Sequence, residues 1–257
     1  MNNLPPIATG ILFIMAIATS HSAPLFSGHD QKVEALLAQM TLDEKIGQMV
    51  QADSAALKDK TDLKKYFLGS VLSGADADPE NGNSPQSWLN FVTEFQNQAF
   101  QTRLKIPLLY GIDAVHGHNN VDGATVFPHN LGLGATRNAK LVGRAARVTA
   151  EECAGTGIRW AFAPCITVPQ NPRWGRTYEG YSDDPKLVSK LGAAAVAGLQ
   201  GKRLSADPAS VLACAKHFVG DGGTMDGRPR SVESVCARSG DAQTRQEERG
   251  GNGTRER

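Results

Sequence analysis

The sequence has almost no net charge, no cysteine pair of the Cys-x-x-Cys type, and no apolar run long enough to cross a bilayer. A formal charge of +1 over 257 residues gives no support to nucleic acid or an anionic membrane as a partner. The four cysteines, Cys153, Cys165, Cys214 and Cys236, are widely spaced, so they indicate neither a zinc site nor a redox motif. We expect the first three, which lie in apolar surroundings, to be small buried hydrophobic residues rather than disulfides. No metal or cofactor is predicted.

The N terminus carries a short apolar run. Residues 11–18 are apolar, and small residues follow them through Ala23, which is typical of a cleavable signal peptide over residues 1–23. No Lys or Arg precedes the run, so an uncleaved anchor remains the alternative. We expect export to the periplasm or the cell exterior, with no membrane attachment after cleavage.

Helical and strand patterns alternate between residues 24 and 227. Apolar runs predict strands over 68–72, 106–112, 160–166 and 211–215, and no hairpin signal lies between them. Alternating elements of this kind favour a parallel sheet with right-handed crossovers. Four such units make about half of a (β/α)8 barrel. The predicted fold is therefore α/β, a partial TIM (β/α)8-like barrel.

Helix boundaries are marked by capping residues. Thr41 begins a capping box that ends at Glu44, and Ser84, Asn138 and Asp184 are predicted N-caps. Gly201 is the predicted stop of the last helix.

Polar residues follow three of the predicted strands. Because the carboxyl ends of parallel strands meet at one edge, we expect these side chains to form one site. They are Asp113, His116 and His118 after the second strand, Arg173, Arg176 and Glu179 after the third, and Lys216 and His217 after the fourth.

The last thirty residues differ from the rest. Residues 228–257 contain seven arginines and no lysine, whereas the preceding 227 residues contain eight arginines and twelve lysines. Apolar residues are scarce there, so we expect a disordered tail. We interpret it as the product of a reading frame that shifts near Gly227; a natural arginine-rich tail that binds an acidic partner is the alternative.

Six motifs occur in collinear order along the chain. They are Met40-Thr-Leu-Asp-Glu-Lys-Ile-Gly-Gln-Met49, Tyr110-Gly-Ile-Asp-Ala-Val-His-Gly117, Pro128-His-Asn, Phe162-Ala-Pro, Pro172-Arg-Trp-Gly-Arg-Thr-Tyr-Glu179 and Lys216-His-Phe-Val-Gly-Asp-Gly-Gly223. Together they resemble the N-terminal barrel domain of glycoside hydrolase family 3, and most of all its secreted bacterial β-glucosidases and exo-β-glucanases. The resemblance covers about residues 30 to 227.

The resemblance implies a substrate and a set of binding residues. The substrate would be a β-glucoside or β-glucan, from which the intact parent enzyme releases terminal β-D-glucose by a retaining mechanism. Asp113 would accept hydrogen bonds from sugar hydroxyls at the −1 subsite. Arg176, Lys216 and His217 would hold further hydroxyls, with Arg173 and Glu179 nearby.

The resemblance also implies what this chain does not contain. Retaining glycosidases use a carboxylate nucleophile and an acid/base residue that lie about 5–5.5 Å apart. In the family the nucleophile lies in a Ser-Asp-Trp-like segment, which this sequence lacks, and the acid/base residue lies in a second domain. No catalytic residue is therefore assigned. The alternative is an inactive, sugar-binding fragment.

Other interpretations remain open at this stage. His116 and His118 near a strand end suggest a metal-dependent amidohydrolase barrel, and Lys216 suggests a Schiff-base lyase. N-Acetylglucosaminidases of the same family carry a histidine soon after the Lys-His pair, where this chain has Asp221, so a glucosidase is preferred.

Each site residue also has a structural alternative to substrate binding. Asp113 could cap a loop, Lys216 and His217 could end a strand, Arg173 and Arg176 could stack as cations on Trp174, and Glu179 could orient an arginine.

Overall fold

The computed structural model of the chain describes residues 29–74, 77–201, 204, 207–218 and 220–224. The predicted signal peptide and the predicted tail lie outside these residues, so both stay predictions. The chain divides into two units, of which the first comprises Met1–Met40. Its described part contains helix α1 (Asp30–Leu37). Among the residues that the structure describes, no helix is both long and apolar enough to cross a membrane.

The second unit, Thr41–Arg257, alternates helices and strands. In chain order its elements are α2 (Leu42–Gln48), β1 (Gln51–Asp53), α3 (Asp62–Lys65), β2 (Ser70–Ser73), α4 (Pro85–Phe100), β3 (Leu109–Ile112), α5 (Asn130–Ala135), α6 (Ala139–Gly155), β4 (Trp160–Ala161), a 3-10 turn (Thr177–Glu179), α7 (Pro185–Gln200) and β5 (Leu212–Ala213).

The five strands form one parallel sheet in the order β1-β2-β3-β4-β5. Each strand pairs with the next one along the chain, and helices lie between them in sequence. A doubly wound sheet reverses its strand order at a switch point, whereas a (β/α)8 barrel adds strands in chain order. The described sheet follows the barrel order, which confirms the predicted α/β, partial TIM-like fold.

The predicted number of strands was wrong. The described part of the chain has five strands rather than four, because β1 was missed. Its three residues, Gln51-Ala-Asp, contain one apolar side chain, too little for an apolar run to indicate a strand. The other strands are also shorter than predicted. Pro107 and Pro164 lie within two of the predicted ranges and have no N–H to donate to a ladder.

The predicted capping residues are confirmed. The Thr41 hydroxyl accepts from the Glu44 N–H, and the Glu44 carboxylate accepts from the Thr41 N–H in return. Ser84, Asn138 and Asp184 accept from the first turns of α4, α6 and α7. These local signals place the long helices correctly.

The main core lies between α4 and the sheet. Trp88, Val92, Phe95 and Ala99 occupy the buried face of α4, at the spacing of an amphipathic helix. The Phe95 ring lies 5.8 Å from that of Tyr110 on β3. Cys153 and Cys165 are buried free thiols, as expected, whereas Cys214 is only half-buried.

Helices α6 and α7 approach each other closely where two glycines meet. A methyl group added at Gly198 would overlap the carbonyl oxygen of Gly143 and lie 2.7 Å from the Ala146 methyl. Neither neighbour is the end of a flexible side chain, so the helices would have to separate. The absence of a side chain at Gly198 therefore sets the distance between them.

We predict that Gly198→Ala destabilises the protein by about 1–3 kcal/mol, because the added methyl overpacks the helix contact. Gly155→Ala is the matched control: it is also helical, and nothing lies within 4 Å of its added methyl, so helix propensity should make it neutral or stabilising by up to about 1 kcal/mol. Urea unfolding followed by circular dichroism measures both. Equal stability of the two variants would contradict the close approach.

Candidate functional site

Asp113 and Lys216 form an ion pair at the carboxyl ends of two strands. Asp113 directly follows β3, and Lys216 lies shortly after β5. The Lys216 Nζ donates to Asp113 Oδ1 at 2.7 Å. The lysine side chain is 13% exposed and the aspartate side chain 48% exposed. The cation is therefore largely enclosed by protein, while the carboxylate faces the solvent.

Arg176 and Glu179 form a second charged pair in the loop after β4. The Arg176 Nε and Nη2 donate to Glu179 Oε1 and Oε2, each at 2.7 Å. The 3-10 turn places the two residues three positions apart on one side of the loop. This bidentate arrangement fixes the plane of the guanidinium as well as its position.

The charges of this pair stabilise each other. Burial by itself would raise the pKa of Glu179. This effect is outweighed by hydrogen bonds from Arg176 and Cys165 and by the nearby charges of Arg176 and Lys216. The pKa of Glu179 therefore lies below its usual range. The hydrogen bond with Glu179 likewise raises the pKa of Arg176. The backbone of Lys216 pairs with that of Cys165, whose thiol donates to Glu179, so the two charged pairs belong to one cluster.

His217 connects the arginine pair to the last described loop. Its Nε2 lies 3.0 Å from Arg176 Nη2, and its Nδ1 lies 2.7 Å from Asp221 Oδ2. An arginine N–H can only donate, so Nε2 accepts and Nδ1 carries the proton that Asp221 accepts. The peptide bond between Lys216 and His217 is cis.

Several polar atoms of the cluster have no hydrogen-bond partner in the described part of the chain. They are the two N–H groups of Arg176 Nη1, two of the three N–H groups of Lys216 Nζ, and Asp113 Oδ2. The cluster thus presents both free donors and a free acceptor. A sugar hydroxyl, which both donates and accepts, is suited to such a set.

Five of the six residues predicted to bind substrate lie in this cluster, whereas Arg173 makes no side-chain hydrogen bond to it among the described residues. The Arg173 side chain is exposed, and within the described ranges only its backbone N–H is engaged, by Asn171 Oδ1 at 2.9 Å. The interpretation of Glu179 as a partner that orients an arginine agrees with the geometry, since Arg176 occupies both of its oxygens.

Sequence reasoning missed two members of the cluster. Asp221 was noted only as the residue that replaces a histidine of the N-acetylglucosaminidases, although its position four residues after His217 was a usable signal for a contact between the two. Cys165 was treated as an inert core residue, yet its Sγ donates to Glu179 Oε2 at 3.4 Å. No local pattern distinguishes this cysteine from Cys153.

The histidines after β3 contact different neighbours. The His118 Nε2 lies 2.9 Å from Thr156 Oγ1, and burial lowers the pKa of His118 to about 4. The His116 ring instead lies against that of His129, 4.4 Å between centroids. No group of three or more potential metal ligands occurs in the part of the chain that the structure describes. This geometry gives no support to the amidohydrolase interpretation.

Comparison with known sequences identifies the family. The pattern of the "Glycosyl hydrolase family 3 N terminal domain" matches residues 41–236, which extends beyond the predicted boundary at residue 227. A lysosomal beta glucosidase of Dictyostelium discoideum is 36% identical over 233 residues, covering 82% of this chain and 28% of the relative. A periplasmic beta-glucosidase of Salmonella typhimurium is 32% identical over 233 residues, covering 86% of this chain and 28% of that protein. The chain therefore spans under a third of the length of these relatives.

Solved structures agree with this assignment. An exo-1,3/1,4-beta-glucanase from a Pseudoalteromonas species is 42% identical with a TM-score of 0.73, covering 78% of this chain and 26% of that one. A beta-glucosidase from Listeria innocua in complex with isofagomine is 31% identical with a TM-score of 0.66, covering 80% of this chain and 29% of that one.

The sheet order, the charged cluster at the strand ends and the match over residues 41–236 lead to one conclusion: the chain belongs to glycosyl hydrolase family 3 and corresponds to its N-terminal domain.

Proposed function

We propose that the chain supplies the sugar-binding part of a glycosidase that releases terminal β-D-glucose from β-glucosides or β-glucans by a retaining mechanism. The observation that carries this proposal is the set of unused donors and acceptors on Arg176, Lys216 and Asp113 within one charged cluster. The names of the relatives, beta-glucosidase and exo-1,3/1,4-beta-glucanase, support glucose as the sugar.

The geometry supports a separate role for each polar group. The exposed Asp113 accepts from sugar hydroxyls, and Lys216, held by the same carboxylate, donates to a neighbouring hydroxyl. Arg176 donates through Nη1, because Glu179 and His217 hold the other side of its guanidinium. Charged hydrogen bonds that strengthen as the oxocarbenium-like transition state forms lower the barrier to cleavage. Arg173 remains a candidate for a contact outside the cluster.

A second candidate function is sugar binding without cleavage. In the described residues, the three carboxylates of the cluster are already engaged: Asp113 with Lys216, Glu179 with Arg176, and Asp221 with His217. A retaining glycosidase needs a nucleophile and an acid/base residue in addition to such contacts. Hydrolysis of an aryl β-glucoside by the purified 257-residue chain, at the rate of an intact family enzyme, would contradict this second candidate.

The first test replaces the exposed carboxylate. We predict that Asp113→Asn weakens binding of methyl β-D-glucoside to the chain about tenfold or more, because a charge-assisted acceptor is lost. Asp122→Asn is the matched control, an exposed aspartate in the loop after β3 that should leave affinity unchanged. Saturation-transfer NMR titration measures both. Equal affinity of Asp113→Asn and the unsubstituted chain would refute the role of Asp113.

The second test separates orientation of Arg176 from direct sugar contact. Glu179→Gln should lower both affinity and stability, the latter by about 1 kcal/mol at pH 7 after allowance for the partly exposed arginine. Since the folded-state pKa of Glu179 lies below its unfolded value, this stabilisation is present above the unfolded pKa and lost as pH falls through the folded pKa.

The difference in melting temperature between Glu179→Gln and the unsubstituted chain should therefore shrink below about pH 4. Glu151→Gln, which removes a more exposed carboxylate from its pair with Arg147, is the control and should have little effect at either pH. A difference that stays constant with pH would show that the charge of Glu179 does not stabilise the fold.

Export forms a separate part of the proposal, supported by the N-terminal apolar run and by a relative named as periplasmic. The mature protein from a bacterial host should begin after Ala23. Mass spectrometry of the N-terminal peptide measures this, and secreted protein that retains Met1 would contradict it.

A further inference from the structure

Cys165 lies inside the charged cluster rather than in a purely apolar core. It follows β4 closely and is completely buried. Its Sγ lies 3.4 Å from Glu179 Oε2, a normal separation for a thiol that donates to a carboxylate. Burial raises the pKa of this thiol to about 12. At neutral pH the sulfur therefore keeps its proton, and the thiol is the donor.

The backbone around Cys165 is fixed by the same hydrogen bonds that place Lys216. Cys165 and Lys216 form a parallel bridge. The Ile166 N–H donates to the Lys216 carbonyl at 2.9 Å, and the Lys216 N–H donates to the Pro164 carbonyl at 3.1 Å. The thiol therefore has a defined position relative to the strand ends, from which it can fix another side chain.

Glu179 depends on this donor because its two oxygens have different surroundings. Arg176 donates to both oxygens, and Cys165 makes an additional bond to Oε2 alone. Two parallel bonds from one guanidinium let carboxylate and guanidinium move together as a unit. His217 accepts from the arginine side of this pair, and the bond from Cys165 holds its carboxylate side, so the two together limit that shared movement.

We propose that Cys165 is a positioning residue, whose S–H anchors Glu179 to the sheet and thereby fixes the guanidinium of Arg176, whose Nη1 has no partner among the described residues. The anchoring follows from the geometry alone, whereas its value for sugar binding rests on the proposed function. The charged and titratable groups that face Glu179 are Arg176, Lys216 and Cys165 itself. A change at Cys165 therefore acts on a carboxylate that has two cationic neighbours.

The test compares two buried thiols. Cys165→Ala removes the donor, Cys165→Ser keeps a hydroxyl donor, and Cys165→Val keeps bulk without a donor. Cys153→Ala is the control, because Cys153 is equally buried and belongs to the apolar core of α6. NMR of the chain follows the Glu179 carboxyl pKa and the exchange of the Arg176 Nε proton with water, and titration with methyl β-D-glucoside gives affinity.

We expect Cys165→Ala and Cys165→Val to raise the pKa of Glu179 and to speed exchange of the Arg176 Nε proton about fivefold, the effect of one lost hydrogen bond. Affinity for the glucoside should fall by a similar factor. Cys165→Ser should restore all three quantities, and Cys153→Ala should change none. The serine variant keeps the shape of the cysteine side chain and the valine variant fills its space with one additional carbon, so the result does not depend on the alanine variant folding.

Unchanged pKa and proton exchange in Cys165→Val, or failure of Cys165→Ser to restore them, would overturn the proposal and make Cys165 a packing residue. If pKa and exchange change as expected while glucoside affinity does not, the anchoring stands and the sugar-binding role of Arg176 is refuted.

Discussion

The site depends on the parallel hydrogen bonding that continues past β4 and β5 to Cys165 and Lys216. This ladder sets the position of Lys216 relative to the loop that carries Arg176 and Glu179. It also brings Lys216 to Asp113 at the end of β3, although more than 100 residues separate the two along the chain. Sequence separation matters little here, because strands that pair in parallel share one carboxyl edge. The charged cluster is therefore a product of strand order.

Local signals in the sequence predicted most of the fold. N-caps such as Ser84 and Asp184 mark helix starts through bonds to the following turn, so a short stretch contains all the information needed. Strand β1 could not be found in this way. Its identity as a strand comes from pairing with Ser70–Ser73, a contact between distant segments that three residues with one apolar side chain do not encode. The strand lengths were predicted wrongly for a related reason. An apolar run in the sequence continues beyond the residues that pair with a neighbouring strand.

The site was predictable to the extent that it consists of strand ends and motifs. Asp113, Lys216 and His217 follow predicted strands directly, and parallel topology alone brings them together. The pairing of Arg176 with Glu179 was only one of two interpretations, because a spacing of three residues in a loop does not specify where the side chains point. The contact of Cys165 with Glu179 was out of reach, since a cysteine in an apolar run looks the same whether its neighbour is aliphatic or a carboxylate.

The hydrogen-bond directions around His217 have a consequence for how a ligand meets the site. Arg176 can only donate, and the carboxylates of Asp221 and Glu179 accept. Each hydrogen bond in the series Asp221, His217, Arg176, Glu179 therefore has one fixed donor and one fixed acceptor. No equally good pattern exists in which these protons point the other way. The dipoles of these groups are therefore already oriented before a molecule binds. They need to reorient little when charge develops on the sugar, whereas water dipoles would have to turn.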